Sequence, residues 1–213
     1  MALQVLIFDC DGVLIESVDA KTRAFRRIAE PYGKDAADRL VAYHDAHGGE
    51  SRTKKLDWFF KEVLRRPPGE GEKEVMFANF VEYSLDEVLH CAAVPGVWDV
   101  LQKWHGKIPM YVASGAPHEE LNDVLKEHDM ARFFEEILGA PPGKAELLRT
   151  ILARTGAHPS NVLMVGDSST DMYAAEAVRC QFYGRGEYFR HTEYPWFDDL
   201  TKLNDFLEEI VAE

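Results

Sequence analysis

Four consecutive apolar residues, Val5-Leu6-Ile7-Phe8, give way to Asp9-Cys10-Asp11-Gly12, and the same design recurs further along the chain. Met110-Tyr111-Val112-Ala113 ends in Ser114-Gly115, and Val162-Leu163-Met164-Val165 ends in Gly166-Asp167. Short continuous apolar runs are the pattern of strands buried on both faces, as in a parallel sheet. Apolar positions then recur at helical spacing. Leu121, Val124 and Leu125, with His128, follow Ser114, while Leu147, Leu148, Ile151 and Leu152, with Thr155, follow Lys144. Both spacings predict crossover helices. Residues 171–178 are alanine-rich and predict a helix lying close to the sheet. Gln181-Phe182-Tyr183 predicts another strand, and residues 203–211 a last helix.

The texture between the first strand and Pro95-Gly96 is different. Ala24, Phe25 and Ile28 form one helical stripe, Leu56, Phe59, Phe60, Val63 and Leu64 a second, and Phe77, Phe80, Val81, Ser84, Leu85 and Val88 a third. A loop-like Arg66-Pro67-Pro68-Gly69-Glu70-Gly71 separates the last two, and strand-like runs are absent. The pattern predicts an α/β protein: a Rossmann-like parallel-sheet core of residues 1–15 and 93–213, with a helical cap, residues 16–92, inserted after the first strand. Phe59, Phe60, Phe77 and Phe80 are expected in the core of that cap. Trp196 and Phe197 offer apolar contact area to the sheet domain or to a subunit interface.

Composition narrows the function classes. The 213 residues carry 24 basic and 37 acidic side chains, a formal net charge of -13, which makes nucleic acid a poor partner. Cys10, Cys91 and Cys180 are odd in number and widely separated, as suits a reducing cytoplasm. Met1 leads directly into the first strand without a basic leader, and no apolar run reaches the ~18 residues of a membrane span. Secretion and membrane insertion are therefore not expected.

The candidate chemistry sits where the apolar runs end. Asp9 and Asp11 leave the first strand two positions apart, and Gly12 permits the turn that lets both carboxylates face one cleft. Taken alone, such a sequence also suits an Asx turn. Gly166-Asp167-Ser168-Ser169-Thr170-Asp171 adds two acids beyond another buried strand, and ligands of open α/β sheets bind outside the strand carboxyl ends. Carboxylates there call for a hard cation, and Mg2+ suits them. Asp9, Asp167 and residue 11, the last through its backbone oxygen, are the expected ligands. Asp171 either orients the metal shell and loop or caps a helix. An anionic substrate further needs donors. Ser114 with Gly115 offers a hydroxyl and backbone N–H groups, and Lys144, at the start of a helix, offers an ammonium, unless it is a solvated surface lysine.

Taken together, Asp9-Cys10-Asp11-Gly12-Val13, Ser114-Gly115, Lys144 and Gly166-Asp167-Ser168-Ser169-Thr170-Asp171 resemble the four ordered motifs of the haloacid dehalogenase-like phosphatases, and the insertion resembles that family's helical cap. The resemblance spans nearly the whole chain. It implies that Asp9 is the nucleophile, carried through an aspartyl-phosphate. Asp11 protonates the leaving alcohol and then activates water, while Ser114 and Lys144 stabilise the transferring group. Asp11 argues against the dehalogenases, which lack the second aspartate.

The chain is also similar to the phosphoglycolate phosphatase and beta-phosphoglucomutase branches. There Gly49-Glu50-Ser51-Arg52 resembles a cap loop whose arginine meets a second anionic group, which makes Arg52 a substrate-binding candidate. Lys21 stands where the mutase branch places a histidine, and this departure favours hydrolysis. Glu16 and Ser17 occupy the junction with the cap, as entrance-shaping or helix-start residues, and His118 is read as part of a helix beginning. The expected activity is Mg2+-dependent hydrolysis of a small phosphorylated metabolite, a sugar phosphate or phosphorylated organic acid. A sugar-phosphate mutase and a non-catalytic phosphometabolite- or partner-binding protein are the alternatives.

Overall fold

In the computed structural model, which describes residues 3–47 and 50–212, the first apolar run forms β1 (Val5–Phe8) and every one of its residues is buried. The chain then enters a helical unit, Ser17–Cys91, and returns to a second unit made of Met1–Glu16 and Ala92–Glu213. The helical unit consists of α1 (Val18–Ala29), α2 (Lys34–Ala46), α3 (Arg52–Trp58), which continues into a π-helical stretch at Phe59–Val63, and α4 (Glu72–Leu89). Gly49, the first residue of the loop motif read from the sequence, lies outside the described residues.

The stripes of α1, α3 and α4 meet in one apolar cluster that includes Phe25, Ile28, Leu56, Phe59, Phe60 and Phe80, with Phe77 packed against it. The sequence pattern did not disclose α2. Its inward positions are Ala36, Ala37, Leu40 and His44, too small or too polar to draw a stripe.

That helix contributes an unusual pair. Lys55 is 2% exposed, and its ammonium donates to Nδ1 of His44 at 2.6 Å, 5.5 Å from the centre of the Phe25 ring. Burial, reinforced by Lys55 and Lys21, holds His44 down at about 3. Burial likewise lowers Lys55, from 10.5 to about 8. The folded pKa lies below the unfolded one, so between them the unfolded chain binds more protons and stability rises with pH. The cost of the buried charge is fully present below pH 8 and gone above 10.5. Urea unfolding should show this protein gaining on a Lys55→Met variant by on the order of 2–3 kcal/mol across that window. Parallel pH profiles for the two proteins would contradict the assignment.

In the other unit the chain continues through α5 (Val97–Trp104), β2 (Met110–Pro117), α6 (His118–Glu127), β3 (Glu136–Ala140), α7 (Lys144–Thr155), β4 (Val162–Gly166), α8 (Ser169–Val178), β5 (Gln181–Arg185), β6 (Trp196–Phe197) and α9 (Leu203–Ala212). The six strands form one parallel sheet in the order β3-β2-β1-β4-β5-β6. This is the doubly wound arrangement, and its order reverses between β1 and β4, where α/β sheets open a crevice at their carboxyl ends. β1 and β4 are buried throughout, as their continuous apolar runs require.

β3 and β6 were not apparent in the sequence. β3 alternates buried with half-buried residues at the sheet edge, and β6 is two residues long, so neither shows a continuous run. Gly96, near which the sheet domain was expected to resume, occupies the N-cap position of α5. No helix among the described residues is long and apolar enough to cross a membrane.

Candidate active site

β1 and β4 run side by side with Phe8 level with Val165, and the amide of Asp9 donates to the Val165 carbonyl at 3.0 Å. Asp9 therefore emerges beside Gly166 and Asp167 at the reversal point. One oxygen of each of Asp9, Asp167 and Asp171 lies within 4.8 Å of the others. Asp171 reaches this group because residue 166 is glycine: a Cβ there would stand 2.2 Å from the Asp171 Cβ.

Asp171 takes part in capping α8. As the third residue of α8 it accepts from the Ser168 amide at 3.1 Å and the Ser168 hydroxyl at 2.7 Å, completing a capping box. Its other oxygen receives the ammonium of Lys144.

Lys144 opens α7, and its side chain is only 7% exposed, so it is not a solvated surface lysine. Besides Asp171 it contacts Asp9 Oδ2 at 2.7 Å, and Asp9 Oδ1 accepts from the Cys10 amide at 2.7 Å. Asp9 is 6% exposed and Asp171 0%. Burial lowers the Lys144 pKa on its own account, but the charges and hydrogen bonds of Asp171 and Asp9 raise it, so the ammonium stays charged.

One lysine does not balance this many acids. Burial, with Asp171 and Asp11 adding to it and Lys144 opposing, lifts Asp9 from 3.8 to about 6. Burial and the Asp9 and Asp171 charges lift Asp167 to about 8. Carboxylates whose proton affinity is raised by burial and by one another's charge are a donor set that a hard cation relieves. Asp171 rather than Asp11 is the third side chain of the close cluster. Asp9, Asp167 and Asp171 thus form a carboxylate donor set of the kind a hard cation such as magnesium fits.

Asp11 is half-buried at the head of a tight turn. Gly12 takes φ 71°, the left-handed region, its amide donates to the Ile15 carbonyl at 2.9 Å, and the amide of Leu14 donates to the Cys10 carbonyl at 2.9 Å. On the other side of β1, Ser114 lies near the carboxyl end of β2, which is level with β1 through Phe8 and Val112. Ser114 is 1% exposed and its hydroxyl accepts from the Ala116 amide at 3.2 Å. The pairing of β2 with β3 becomes irregular between Ala113 and Pro117, which places Ser114 and Gly115 in the irregular stretch. His118 opens α6, as the sequence indicated.

Residues assigned to the cap are distributed over the helical unit. Arg52 is the first residue of α3, its guanidinium 5.5 Å from the ring centres of both Phe77 and Phe80. Lys21 lies on α1, where its charge contributes to lowering both His44 and Lys55. Ser17 stands at the start of α1 as its N-cap residue, its carbonyl accepting from the Lys21 amide at 3.1 Å while its side chain makes no cap bond. Glu16, one residue earlier, pairs with Arg185 at 2.6 Å.

Arg185 and the contact of Lys55 with His44 are features that the sequence reading did not single out. Arg185 did carry a signal, since it follows Phe182-Tyr183-Gly184 as Asp9 follows its own strand.

The sheet order is that of a doubly wound α/β protein, with an acid–lysine cluster gathered at its reversal point. The chain belongs to the haloacid dehalogenase-like hydrolases, whose family match spans residues 3–179. Among curated proteins it is 29% identical over 187 residues to Phosphoglycolate phosphatase 1 of Pseudomonas aeruginosa, covering 83% of this chain and 68% of the relative. The fold is shared with a predicted phosphoglycolate phosphatase from Haemophilus somnus, with TM-score 0.80 and 18% identity over 96% of this chain and 97% of the other. It is shared equally with beta-phosphoglucomutase from Clostridium difficile, with TM-score 0.78 and 20% identity over 100% of both chains. These matches lie in the phosphoglycolate phosphatase and beta-phosphoglucomutase branch of the family.

Proposed function

We propose that this protein hydrolyses a small phosphate monoester, a phosphorylated organic acid or sugar phosphate, through an aspartyl-phosphate at Asp9, with magnesium as cofactor. The observation that carries this reading is the buried Lys144 ammonium bridging Asp9 and Asp171 beside Asp167 at the sheet's reversal point. The curated relatives, phosphatases by name, support it.

The chemistry divides among the chain's own residues. A carboxylate oxygen of Asp9 forms a bond to phosphorus while the bond to the alcohol oxygen breaks, and Asp11 gives that oxygen a proton. Asp11 then takes a proton from the water that attacks phosphorus and releases phosphate from Asp9. Lys144 remains charged throughout and offsets the negative charge on the transferring group, while Ser114 and Gly115 supply donors to its oxygens. Asp9, Asp167 and the residue 11 carbonyl would hold magnesium, which would supply positive charge to offset that of the phosphate.

The test is phosphate release from a panel that includes phosphoglycolate and several sugar phosphates, with products identified over time. Chelator should abolish release and magnesium restore it. Protons compete for the oxygens of Asp9 and Asp167, whose values are raised to about 6 and about 8, so the magnesium needed for half-activation should increase as pH falls from 8 to 6. Equal rates with chelator and with magnesium would refute the cofactor, and isomerised sugar phosphate without free phosphate would identify a mutase.

A further inference from the structure

Arg185 closes β5, the neighbour of the strand that delivers Asp167. Its side chain returns to the loop after β1. Nη1 donates to the Gly12 carbonyl at 3.1 Å, and Nη2 donates to Glu16 Oε1 at 2.6 Å. These acceptors stand at the two ends of the turn that follows Asp11. Gly12 is its left-handed residue, and Glu16 is the last residue before the chain enters the helical unit. The third nitrogen of the same guanidinium, Nε, is buried without a hydrogen-bond partner among the described residues. A buried donor left unpaired opposes folding, so stability alone does not account for an arginine here. What an arginine does provide is a rigid fork that holds two acceptors in fixed relation, which a lysine does not.

We propose that Arg185 is a positioning residue: its guanidinium clamps both ends of the Gly12–Glu16 turn and thereby fixes Asp11 for proton transfer to the leaving group. This rests on the proposed phosphatase reading, because only there does Asp11 serve a leaving alcohol. The backbone of Gly12 determines where the preceding carboxylate points, and Gly12 itself, free to adopt many conformations, does not hold that direction. A displacement of about 1 Å in a reacting group costs roughly 100-fold in rate. Glu16 acquires a purpose in the same arrangement, as the second anchor of the clamp.

The experiment compares Arg185→Ala, Arg185→Met and Arg185→Lys with the unsubstituted full-length protein at saturating magnesium. Arg185→Met retains the apolar stem if the alanine variant does not fold. The first chemical step of an alkyl phosphate, read as pre-steady-state release of its alcohol, should slow roughly 10- to 100-fold in the alanine and methionine variants, with the burst from an aryl phosphate affected much less. Arg185→Lys should recover part of the loss, and added methylguanidinium should raise the alkyl rate of Arg185→Ala. Amide exchange at Gly12, Leu14 and Ile15 should accelerate. An equal loss of the first step for alkyl and aryl substrates, unchanged rates, or unchanged exchange in the turn would each overturn the assignment. If the unsubstituted protein releases phosphate from no monoester, the proposed function falls and the positioning role with it; if it does and the variants keep its alkyl-to-aryl ratio, only the role of Arg185 falls.

Discussion

Asp9→Asn is expected to reduce turnover by about 10^4-fold or more and to leave no phosphoenzyme, with the protein still folded. The amide keeps the shape of the carboxylate and can still accept from the Cys10 amide, but its oxygen is a far weaker nucleophile. The Asp9 oxygen that receives Lys144 loses its charge, and the lysine then relies on Asp171, its other partner. Folding should survive, because burial, with Asp171 and Asp11 adding to it, raises the Asp9 pKa to about 6. For an acid whose folded pKa exceeds its unfolded value of 3.8, the folded state binds more protons between the two, so the carboxylate lowers stability as pH rises through that window. At neutral pH without metal, the asparagine variant should therefore melt no lower than the unsubstituted protein. Phosphoenzyme trapping by acid quench and mass spectrometry, alongside thermal melts, checks both parts. Phosphate found on another residue, or turnover close to that of the unsubstituted protein, would reject Asp9 as the nucleophile.

The residues drawn together around Asp9 were legible because they obey a single physical rule. A strand buried on both faces tolerates polar groups only where it leaves the sheet, so Asp9, Ser114 and Asp167 stood out at the ends of apolar runs. Lys144 and Asp171 were visible as helix beginnings, but sequence spacing does not say that a first-turn lysine turns inward. That depends on α7 and α8 packing side by side on the sheet, and on a glycine at 166 that lets Asp171 approach. Arg185 ends a strand in the same fashion, yet an arginine after a glycine reads as an ordinary turn until β5 is known to lie beside β4.

In the helical unit, large side chains disclosed α1, α3 and α4, and small ones concealed α2. The pair His44 and Lys55 stayed hidden for a related reason. Each is a polar residue at a core position, and periodicity analysis counts such positions as solvent-facing. Burial of Lys55 makes sense only once His44 is seen to accept its proton-bearing nitrogen.

The second large effect concerns Asp11, which sits where a proton donor differs in role from the nucleophile two residues before it. Its charge contributes to the raised values of both Asp9 and Asp167, so it belongs to the same electrostatic site. Its carboxylate is outside the close trio of Asp9, Asp167 and Asp171. Asp11→Asn should retain magnesium binding through Asp9, Asp167 and the backbone carbonyl of residue 11, which the substitution does not remove. Alkyl phosphates, whose leaving alcohols need a proton, should lose about 10^2- to 10^4-fold in the first chemical step. Aryl phosphates leave without that help, so their first step should be comparatively spared. Water attack on the phosphoenzyme still lacks its base, and the aryl reaction should therefore show a rapid burst of phenol followed by slow turnover. Pre-steady-state release measured for both substrate types, with magnesium affinity determined separately on the folded variant, decides the matter. An equal loss of the first step for alkyl and aryl substrates with metal binding intact would remove Asp11 from proton transfer and leave it a structural residue of the turn.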